Sequence, residues 1–230
     1  MSIPLLPDRP VGFPNPNRAL TDPDGLLAAG GALTPDWLIE AYARGIFPWF
    51  GPEDDYILWW SPAQRAVIKP GTMKVSRSLR KKLRNTDYQV SMDTEFVAVV
   101  TGCQAPRADS SGTWITPEML DAYTALHEAG LAHSVEVRLD GQLVGGLYGV
   151  SLGKFFFGES MFSRVSDASK IAFFYLHRHL SDMAFELIDC QIQNPHLASL
   201  GVIEMPRHVF LEHLAHNPLD QTVQGDWQFG

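Results

Sequence analysis

The 230-residue sequence predicts an α+β fold, in which a small N-terminal domain (residues 1–62) precedes a larger domain (residues 63–230) with a mostly antiparallel sheet and flanking helices. The first part combines loops rich in Pro, Gly and Asn with two aromatic segments. The second part alternates between helical and strand periodicity, and between residues 135 and 162 the period becomes two, which is typical of antiparallel strands. This change of pattern places the domain boundary near residue 62.

A short helix is the clearest element of the N-terminal domain. Thr34 occupies its N-cap position, Pro35 its first helical position and Gly45 its end. The two aromatic segments, residues 46–50 and 57–62, follow this helix and complete the domain.

The larger domain begins with alternating strands and helices and continues with an antiparallel meander. The expected strands are 65–69 and 88–92, and the expected helices are 76–84, 94–102 and 116–130. The meander strands are 135–139, 142–150 and 154–162. Residues 166–169 then cap a long apolar helix that ends near Met183 and leads into a strand at 186–193. Because three antiparallel strands, a helix and a further strand follow each other in N-acetyltransferase-like domains, we expect that fold by analogy.

The composition is that of a globular protein of a reducing compartment. The sequence begins with Pro, Asp and Asn rather than with a basic and then apolar stretch, and it contains no run long enough to span a membrane. Its two cysteines, Cys103 and Cys190, are far apart and lack metal-type spacing. We therefore expect a cytoplasmic protein that has no disulfide framework and no membrane partner.

One segment concentrates the basic residues of an otherwise acidic chain. The net charge is −8, but residues 65–84 contain eight basic residues and no acid, which leaves ten basic against 26 acidic residues elsewhere. One stripe of the predicted helix carries Arg77, Arg80, Lys81 and Arg84, and the opposite stripe carries Val75, Leu79 and Leu83. A solvated face usually mixes both signs, and a membrane-surface helix has flanking Trp or Phe, so the stripe favours binding to phosphates.

A carboxylate occurs in one of the most apolar segments. Glu159 lies within Phe155–Phe162, among aromatic and sulfur side chains. A buried carboxylate needs a partner or a chemical task, which makes Glu159 a candidate catalytic residue. The alternative, a strand end that points to water, stays open at this level.

A second candidate site lies in the last predicted strand. Period-two alternation places Asp189 and Gln191 on one face and Cys190 on the other, apolar face. The polar face needs hydrogen-bonded neighbours or a ligand. A nucleophilic pair of Cys190 and His196 is the alternative, but an apolar environment favours Cys190 as a small hydrophobic residue.

Tryptophans and glycines allow two interpretations each. The tryptophans Trp49, Trp59, Trp60 and Trp114 are suited either to a core or to stacking on a nucleobase. Gly145, Gly146 and Gly149 interrupt a meander strand, which indicates either a bulge or the close approach of a ligand.

Several motifs are absent from the sequence. It contains no Gly-rich phosphate loop and no His-Glu-x-x-His, and the helix after the meander starts with an acidic residue where a CoA pyrophosphate needs free amides. The closely spaced histidines lack further ligands nearby, so we expect no metal.

Long motifs occur in one order along nearly the whole chain. They are Gly25–Gly31, Arg44–Phe50, Leu58–Pro62, Gly112–Thr116, Gly158–Ser163, Leu187–Gln191 and Ala198–Gly201. Together they resemble the bacterial leucyl/phenylalanyl-tRNA–protein transferases. The resemblance implies an enzyme that moves Leu or Phe, and Met less well, from aminoacyl-tRNA to the α-amine of a protein that begins with Arg or Lys. The product is a degradation signal of the N-end rule, and no cofactor is used because the aminoacyl ester is already activated.

The resemblance also implies a fold and residue roles. The family has an acetyltransferase-like fold, in which the aminoacyl end of the tRNA takes the place of acetyl-CoA. Asp189 and Gln191 match the pair that orients the reacting groups and assists proton removal, and Glu159 matches a carboxylate associated with the N-terminal residue of the acceptor protein. The remaining matches are Trp49 and Trp114 for the terminal adenosine and amino acid, and Leu147, Phe156 and Leu176 for the apolar pocket.

The pocket departs from the family pattern at two positions, and two other functions stay open. Leu147 stands in place of a Met and Leu176 in place of a Phe, so the pattern does not decide between Leu and Phe as the transferred residue. A CoA-dependent N-acetyltransferase would bind acetyl-CoA, and a non-catalytic RNA-binding protein would bind tRNA without transfer.

Overall fold

One hydrophobic core cluster joins the two sheets of this protein, and a second cluster lies within the larger domain. The computed structural model describes residues 3–84, 87–104 and 115–229. The smaller sheet comprises β1 (Leu5–Leu6), β2 (Leu26–Gly30), β3 (Phe47–Pro48) and β4 (Leu58–Trp60), in the order β1-β2-β4-β3. Helix α1 (Pro35–Ala43) lies between β2 and β3 in the chain.

The larger sheet has the order β11-β5-β10-β9-β8-β7-β6. Its strands are β5 (Gln64–Ile68), β6 (Tyr88–Met92), β7 (Ala132–Leu139), β8 (Gln142–Leu152), β9 (Phe155–Ser163), β10 (Leu187–Asp189) and β11 (Ile203–Pro206). The connecting helices are α2 (Arg77–Leu83), α3 (Phe96–Gln104), α4 (Pro117–Glu128), α5 (Ala168–Asp182), α6 (Pro195–Leu200) and α7 (Arg207–Ala215). Only β9 and β10 pair in parallel within this sheet, and the other neighbours are antiparallel.

The predicted α+β class is therefore confirmed, with a small N-terminal sheet followed by a mostly antiparallel one. The meander β7-β8-β9, helix α5 and strand β10 have the predicted order. Trp37 and Trp59 of the N-terminal part belong to the same buried cluster as Tyr123 and Phe157. The boundary between residues 62 and 63 stays a prediction.

Two local predictions are wrong. The strand expected at residues 186–193 ends at Asp189, and Gln191 has a positive φ of 61°, so these residues do not continue a strand face. Asp167 is the N-cap residue of α5, but it has a left-handed backbone and its side chain does not cap the helix. Its carboxylate instead pairs with Lys82 and Lys170.

The glycines of β8 allow close packing against its neighbours. A Cβ atom on Gly149 would lie 2.6 Å from the ring of Phe156, and one on Gly145 would lie 2.5 Å from the Cβ of Ala168. Because a Cβ atom has no room at that distance, these positions let a large ring and a helix start lie directly on the strand. The bulge interpretation is confirmed as well, because the pairing register of β8 shifts beside both glycines.

Candidate active site

A cleft of about 790 Å³ opens where two strands of the large sheet separate. β9 and β10 pair up to Phe157 and Asp189, and the chain beyond these residues diverges. The deep wall of the cleft is apolar and nearly closed to solvent, and it comprises Leu147, Phe156, Phe173, Leu176 and Ile188. Trp49 and Ile192 lie at the cleft with more than two-fifths of their surface exposed. Such a buried apolar wall is suited to a hydrophobic side chain.

A β-bulge places Glu159 beside this wall. Tyr148 pairs with Ser160 and Gly149 with Gly158, so Glu159 is the extra residue of β9. Glu159 lines the cleft but is only 8% exposed. The bulge therefore turns a carboxylate toward the cleft at the point where β9 and β10 part.

Neutral donors hold the Glu159 carboxylate. Tyr123 Oη donates to its Oε2 at 2.7 Å, and Gln191 Nε2 donates to its Oε1 at 2.8 Å. Tyr42 and Tyr123 share a further hydrogen bond of 2.6 Å between their hydroxyls. Burial raises the pKa of both tyrosines, and the nearby Glu159 raises the pKa further. The tyrosines therefore stay protonated donors at neutral pH.

The same environment makes Glu159 titrate near neutrality. Burial raises the pKa of Glu159 to about 7, and the charge of Asp189 adds to the increase, while the bonds from Tyr123, Tyr42 and Gln191 act against it. No cation neutralises this carboxylate at hydrogen-bonding distance among the described residues. A group with this pKa can take up and release a proton at physiological pH.

Asp189 has a different environment, because it forms a buried ion pair. Arg65 Nε donates to Asp189 Oδ1 at 2.8 Å, and an Arg65 terminal nitrogen donates to Oδ2 at 2.6 Å. Both side chains are at most 1% exposed. Arg65 also lies between the rings of Phe47 and Phe210, 4.7 and 4.8 Å from their centroids. This bidentate geometry makes Asp189 a fixed anchor.

Gln191 connects the two carboxylates. Its backbone N–H donates to Asp189 Oδ1 at 2.9 Å, and its side-chain amide donates to Glu159. Glu159, rather than Asp189, therefore holds the side-chain amide of Gln191. Within the described part of the chain, no donor occupies Gln191 Oε1, which leaves this oxygen available to a ligand.

A stability measurement can test the charge state of Glu159. The pKa of the Glu159 carboxyl is about 7 in the folded state, above its ordinary value of 4.5. The folded state therefore binds this proton more tightly than the unfolded state does. The resulting stabilisation is complete below pH 4.5 and is lost as the pH rises through 7. Glu159→Gln removes this pH dependence. Between pH 4 and pH 8, the free energy of unfolding of the variant should therefore rise by about 3 kcal/mol relative to that of the parent.

Urea unfolding at several pH values measures this difference. Glu204→Gln is the matched control, because it removes the same charge from an exposed strand position. A difference between Glu159→Gln and the parent that stays constant from pH 4 to pH 8 would mean that Glu159 titrates normally.

The tryptophans divide between core and cleft. Trp59 is fully buried, donates to Gly30 O and stacks on Trp37 at 6.0 Å, so it is a core residue. Trp60 supports Trp49 by donating to its carbonyl oxygen at 2.6 Å, and Trp49 is 42% exposed at the cleft. Trp49 thus presents a ring for stacking, whereas Trp114 lies outside the described residues.

Cys190 lines the cleft as a poor nucleophile. Burial raises the pKa of its thiol, and the charge of Asp189 raises it further. Because the thiolate is the reactive form, this environment opposes the nucleophilic alternative for Cys190 and His196.

The basic stripe is on the surface, as predicted. Arg77, Arg80, Lys81 and Arg84 are exposed, whereas Leu79 is buried beneath them. The helix is tied to the start of α5, since Lys82 Nζ donates to Ser166 O at 2.6 Å and pairs with Asp167. Arg65 is the exception within the basic segment, because it is buried.

Three residues of the site carried no distinctive sequence signal. Tyr42 and Tyr123 are 81 residues apart, and Arg65 and Asp189 are 124 residues apart. In the sequence, the apolar surroundings of Glu159 and the excess of basic residues near Arg65 were the only indications that these two charged groups need partners from elsewhere in the chain. Among the described residues, no group of three or more metal-ligating side chains could hold an ion.

The chain is similar in sequence to known proteins over most of its length. A sequence profile described as "Leucyl/phenylalanyl-tRNA protein transferase" matches residues 67–215, and one described as its N-terminal domain matches residues 31–63. The leucyl/phenylalanyl-tRNA–protein transferase of Azoarcus sp. (strain BH72) is 54% identical over 225 residues, which cover 98% of this chain and 95% of the relative. That of Nitrosospira multiformis is 59% identical over 202 residues, which cover 88% and 87%. A solved GCN5-related N-acetyltransferase from Kribbella flavida is 12% identical with a TM-score of 0.40, covering 75% of this chain and 61% of that one.

Proposed function

The chain belongs to the leucyl/phenylalanyl-tRNA–protein transferase family and is an aminoacyltransferase that moves an amino acid from aminoacyl-tRNA to a protein N-terminus, and we propose that the transfer takes place in the cleft around Glu159 and Gln191. The observation that carries this proposal is the position of a titratable carboxylate and an available amide oxygen beside an apolar pocket. Family membership favours this function over both alternatives, the CoA-dependent acetyltransferase and the non-catalytic RNA-binding protein.

The apolar wall receives the side chain of the transferred residue, Leu or Phe and less readily Met. Leu147, Phe156 and Leu176 line the cleft and are at most 3% exposed. A charged side chain would lose its hydration against these apolar residues, which opposes its binding there. The exposed ring of Trp49 stacks on the terminal adenosine, and by resemblance to the family Trp114 belongs to the site for the adenosine and amino acid.

The amide oxygen of Gln191 accepts a hydrogen bond from the attacking α-amine. This bond orients the nitrogen lone pair toward the ester carbonyl, and orientation is the main requirement of an already activated ester. Glu159 holds the amide through Nε2 and takes up the proton that the amine loses, since its pKa of about 7 is close to that of an α-amine. The new amide C–N bond replaces the ester C–O bond, and the proton passes to the departing ribose oxygen of the tRNA. Asp189 acts as a positioning residue that holds the Gln191 backbone.

The acceptors are proteins that begin with Arg or Lys, and the product is a degradation signal. Glu159 is the one carboxylate among the described residues that line the cleft, so its negative charge attracts a cationic N-terminal residue into the cleft. The protein works in the cytoplasm, where its two cysteines stay reduced. No helix in the described ranges has the length and apolarity to cross a membrane.

A peptide series tests the acceptor proposal. The protein is incubated with labelled Leu-tRNA and peptides that begin with Arg, Lys, Ala or Nα-acetylated Arg. Label should enter the Arg and Lys peptides, enter the Ala peptide at least tenfold more slowly, and stay out of the acetylated peptide. Equal transfer to the Ala peptide would contradict the acceptor preference, and transfer to the acetylated peptide would contradict attack by the α-amine.

The basic stripe holds the phosphate backbone of the tRNA. Reversing Arg77 and Arg84 to Glu should raise the KM for aminoacyl-tRNA roughly tenfold or more and reduce the slope of log K against log salt by about 2, because two phosphate contacts are lost. The matched control reverses two exposed arginines outside the stripe, Arg18 and Arg178, and changes the net charge equally. Equal effects of both double variants would mean that the stripe has no specific role.

A further inference from the structure

Residues 222–229 form hydrogen bonds at three points with loops that adjoin strands of the large sheet. Thr222 Oγ1 accepts from the Gly153 amide at 2.7 Å, and the Gly225 amide donates to Gly130 O at 3.3 Å. The Trp227 amide donates to Asp93 Oδ2 at 2.7 Å. Trp227 is only 3% exposed, so its indole is inserted into the core rather than laid on the surface.

The indole of Trp227 has a fixed position. It stacks on His133 with ring centroids 3.6 Å apart and an angle of 8° between the planes. Asp93 accepts hydrogen bonds from His133 Nδ1, at 2.8 Å, and from the amide of Ser134, in addition to that of Trp227. One carboxylate therefore fixes both stacked partners.

Phe156 separates this indole from the cleft. Its ring lies 6.1 Å from Trp227, and Phe156 lines the cleft whereas Trp227 does not. The ring lies directly on Gly149, where a Cβ atom would be only 2.6 Å from it, so any larger residue at this position would displace the ring. On the side away from the cleft, the indole of Trp227 packs against this ring.

We propose that Trp227 is a specificity-determining positioning residue, which sets the depth of the aminoacyl pocket by holding Phe156 toward the cleft. The inference rests on the proposed role of Phe156 in that pocket. A smaller residue at position 227 lets the Phe156 ring move back, and the pocket deepens by the volume that the indole vacates. A deeper pocket favours a phenylalanyl over a leucyl side chain.

The ratio of kcat/KM for Phe-tRNA to that for Leu-tRNA measures this effect. Trp227→Leu should raise the ratio about tenfold, within the range that one methylene produces in an apolar pocket. The matched control is Phe229→Leu, because Phe229 lies in the same segment but contacts Tyr175 and His179 rather than Phe156. We expect this control to leave the ratio within about twofold of the parent.

The ratio is insensitive to a loss of folded protein, because both substrates are measured on the same sample. Trp227→Phe keeps an aromatic ring and removes no hydrogen bond of the indole, since Nε1 has no partner among the described residues. This variant should show a smaller change of the ratio than Trp227→Leu. An unchanged ratio in Trp227→Leu would overturn the inference, and so would an equal change in Phe229→Leu.

Phe156→Leu distinguishes failure of the inference from failure of the proposed pocket. If Phe156→Leu changes the ratio but Trp227→Leu does not, the pocket assignment stands and the role of Trp227 is rejected. If neither variant changes the ratio, Phe156 does not line the aminoacyl site and both proposals are rejected.

Discussion

Glu159→Gln should lower kcat/KM for peptide transfer about 100-fold or more at pH 8, because a positioned proton acceptor contributes 10²–10⁴ to such a reaction. The amide can keep both hydrogen bonds of the carboxylate, accepting from Gln191 and donating to Tyr123. It cannot take up a proton. The variant thus removes the proposed chemistry with little change in packing.

The pH dependence of this loss identifies its cause. The ratio of parent to variant kcat/KM cancels the ionisation of the peptide amine, which both enzymes share. With a pKa of about 7 for Glu159, the ratio should be constant above pH 7.5 and fall about tenfold for each pH unit below 6.5. A ratio that does not depend on pH between 5.5 and 8.5 would show that Glu159 contributes by shape rather than by proton uptake.

Asp189→Leu should destabilise the protein by about 3–5 kcal/mol, because it leaves the buried Arg65 guanidinium without a counter-charge. Combining it with Arg65→Met removes both charges, and the double variant should recover more than half of the lost free energy of unfolding. Recovery is incomplete because Arg65 also donates to Gly45 O at 2.9 Å. Urea unfolding of the parent, both single variants and the double variant measures the coupling.

The same double variant separates stability from catalysis. It restores the fold, but the Gln191 amide still lacks the carboxylate that holds it, so its kcat should stay well below that of the parent. Full recovery of kcat together with stability would show that Asp189 matters only as the partner of Arg65.

Local chemistry explains which parts of the fold could be predicted from the sequence. Ser76 and Thr116 cap α2 and α4 as their sequences suggest, and the meander strands lie within three residues of the predicted ends, because caps and alternation depend on neighbouring residues. The last strand is shorter than predicted for a tertiary reason. The apolar–polar alternation of β10 continues beyond Asp189. However, β9 pairs with β10 only up to Phe157 and no longer does so from the bulge at Glu159 onward.

The site was partly predictable for the same reason. Glu159, Asp189 and Gln191 stand out as polar residues in apolar segments, and the structure brings them together. The separate roles of these residues could not be predicted. The role of Asp189 depends on its ion pair with Arg65, and that of Glu159 depends on its hydrogen bond from Tyr123. These partners come from distant segments whose sequences are those of an ordinary strand and an ordinary helix.

The central claim is that Gln191 orients the attacking amine in this cleft. Single-turnover transfer from bound Leu-tRNA to an Arg-initiated peptide tests it most directly when tRNA affinity is measured in the same samples. Gln191→Ala should slow transfer about 100-fold and leave the Kd for Leu-tRNA within about twofold. Gln193→Ala is the matched control, since Gln193 also lines the cleft but donates to Val202 O instead of Glu159. A near-parental transfer rate in Gln191→Ala, or an equal loss in Gln193→Ala, would contradict the claim.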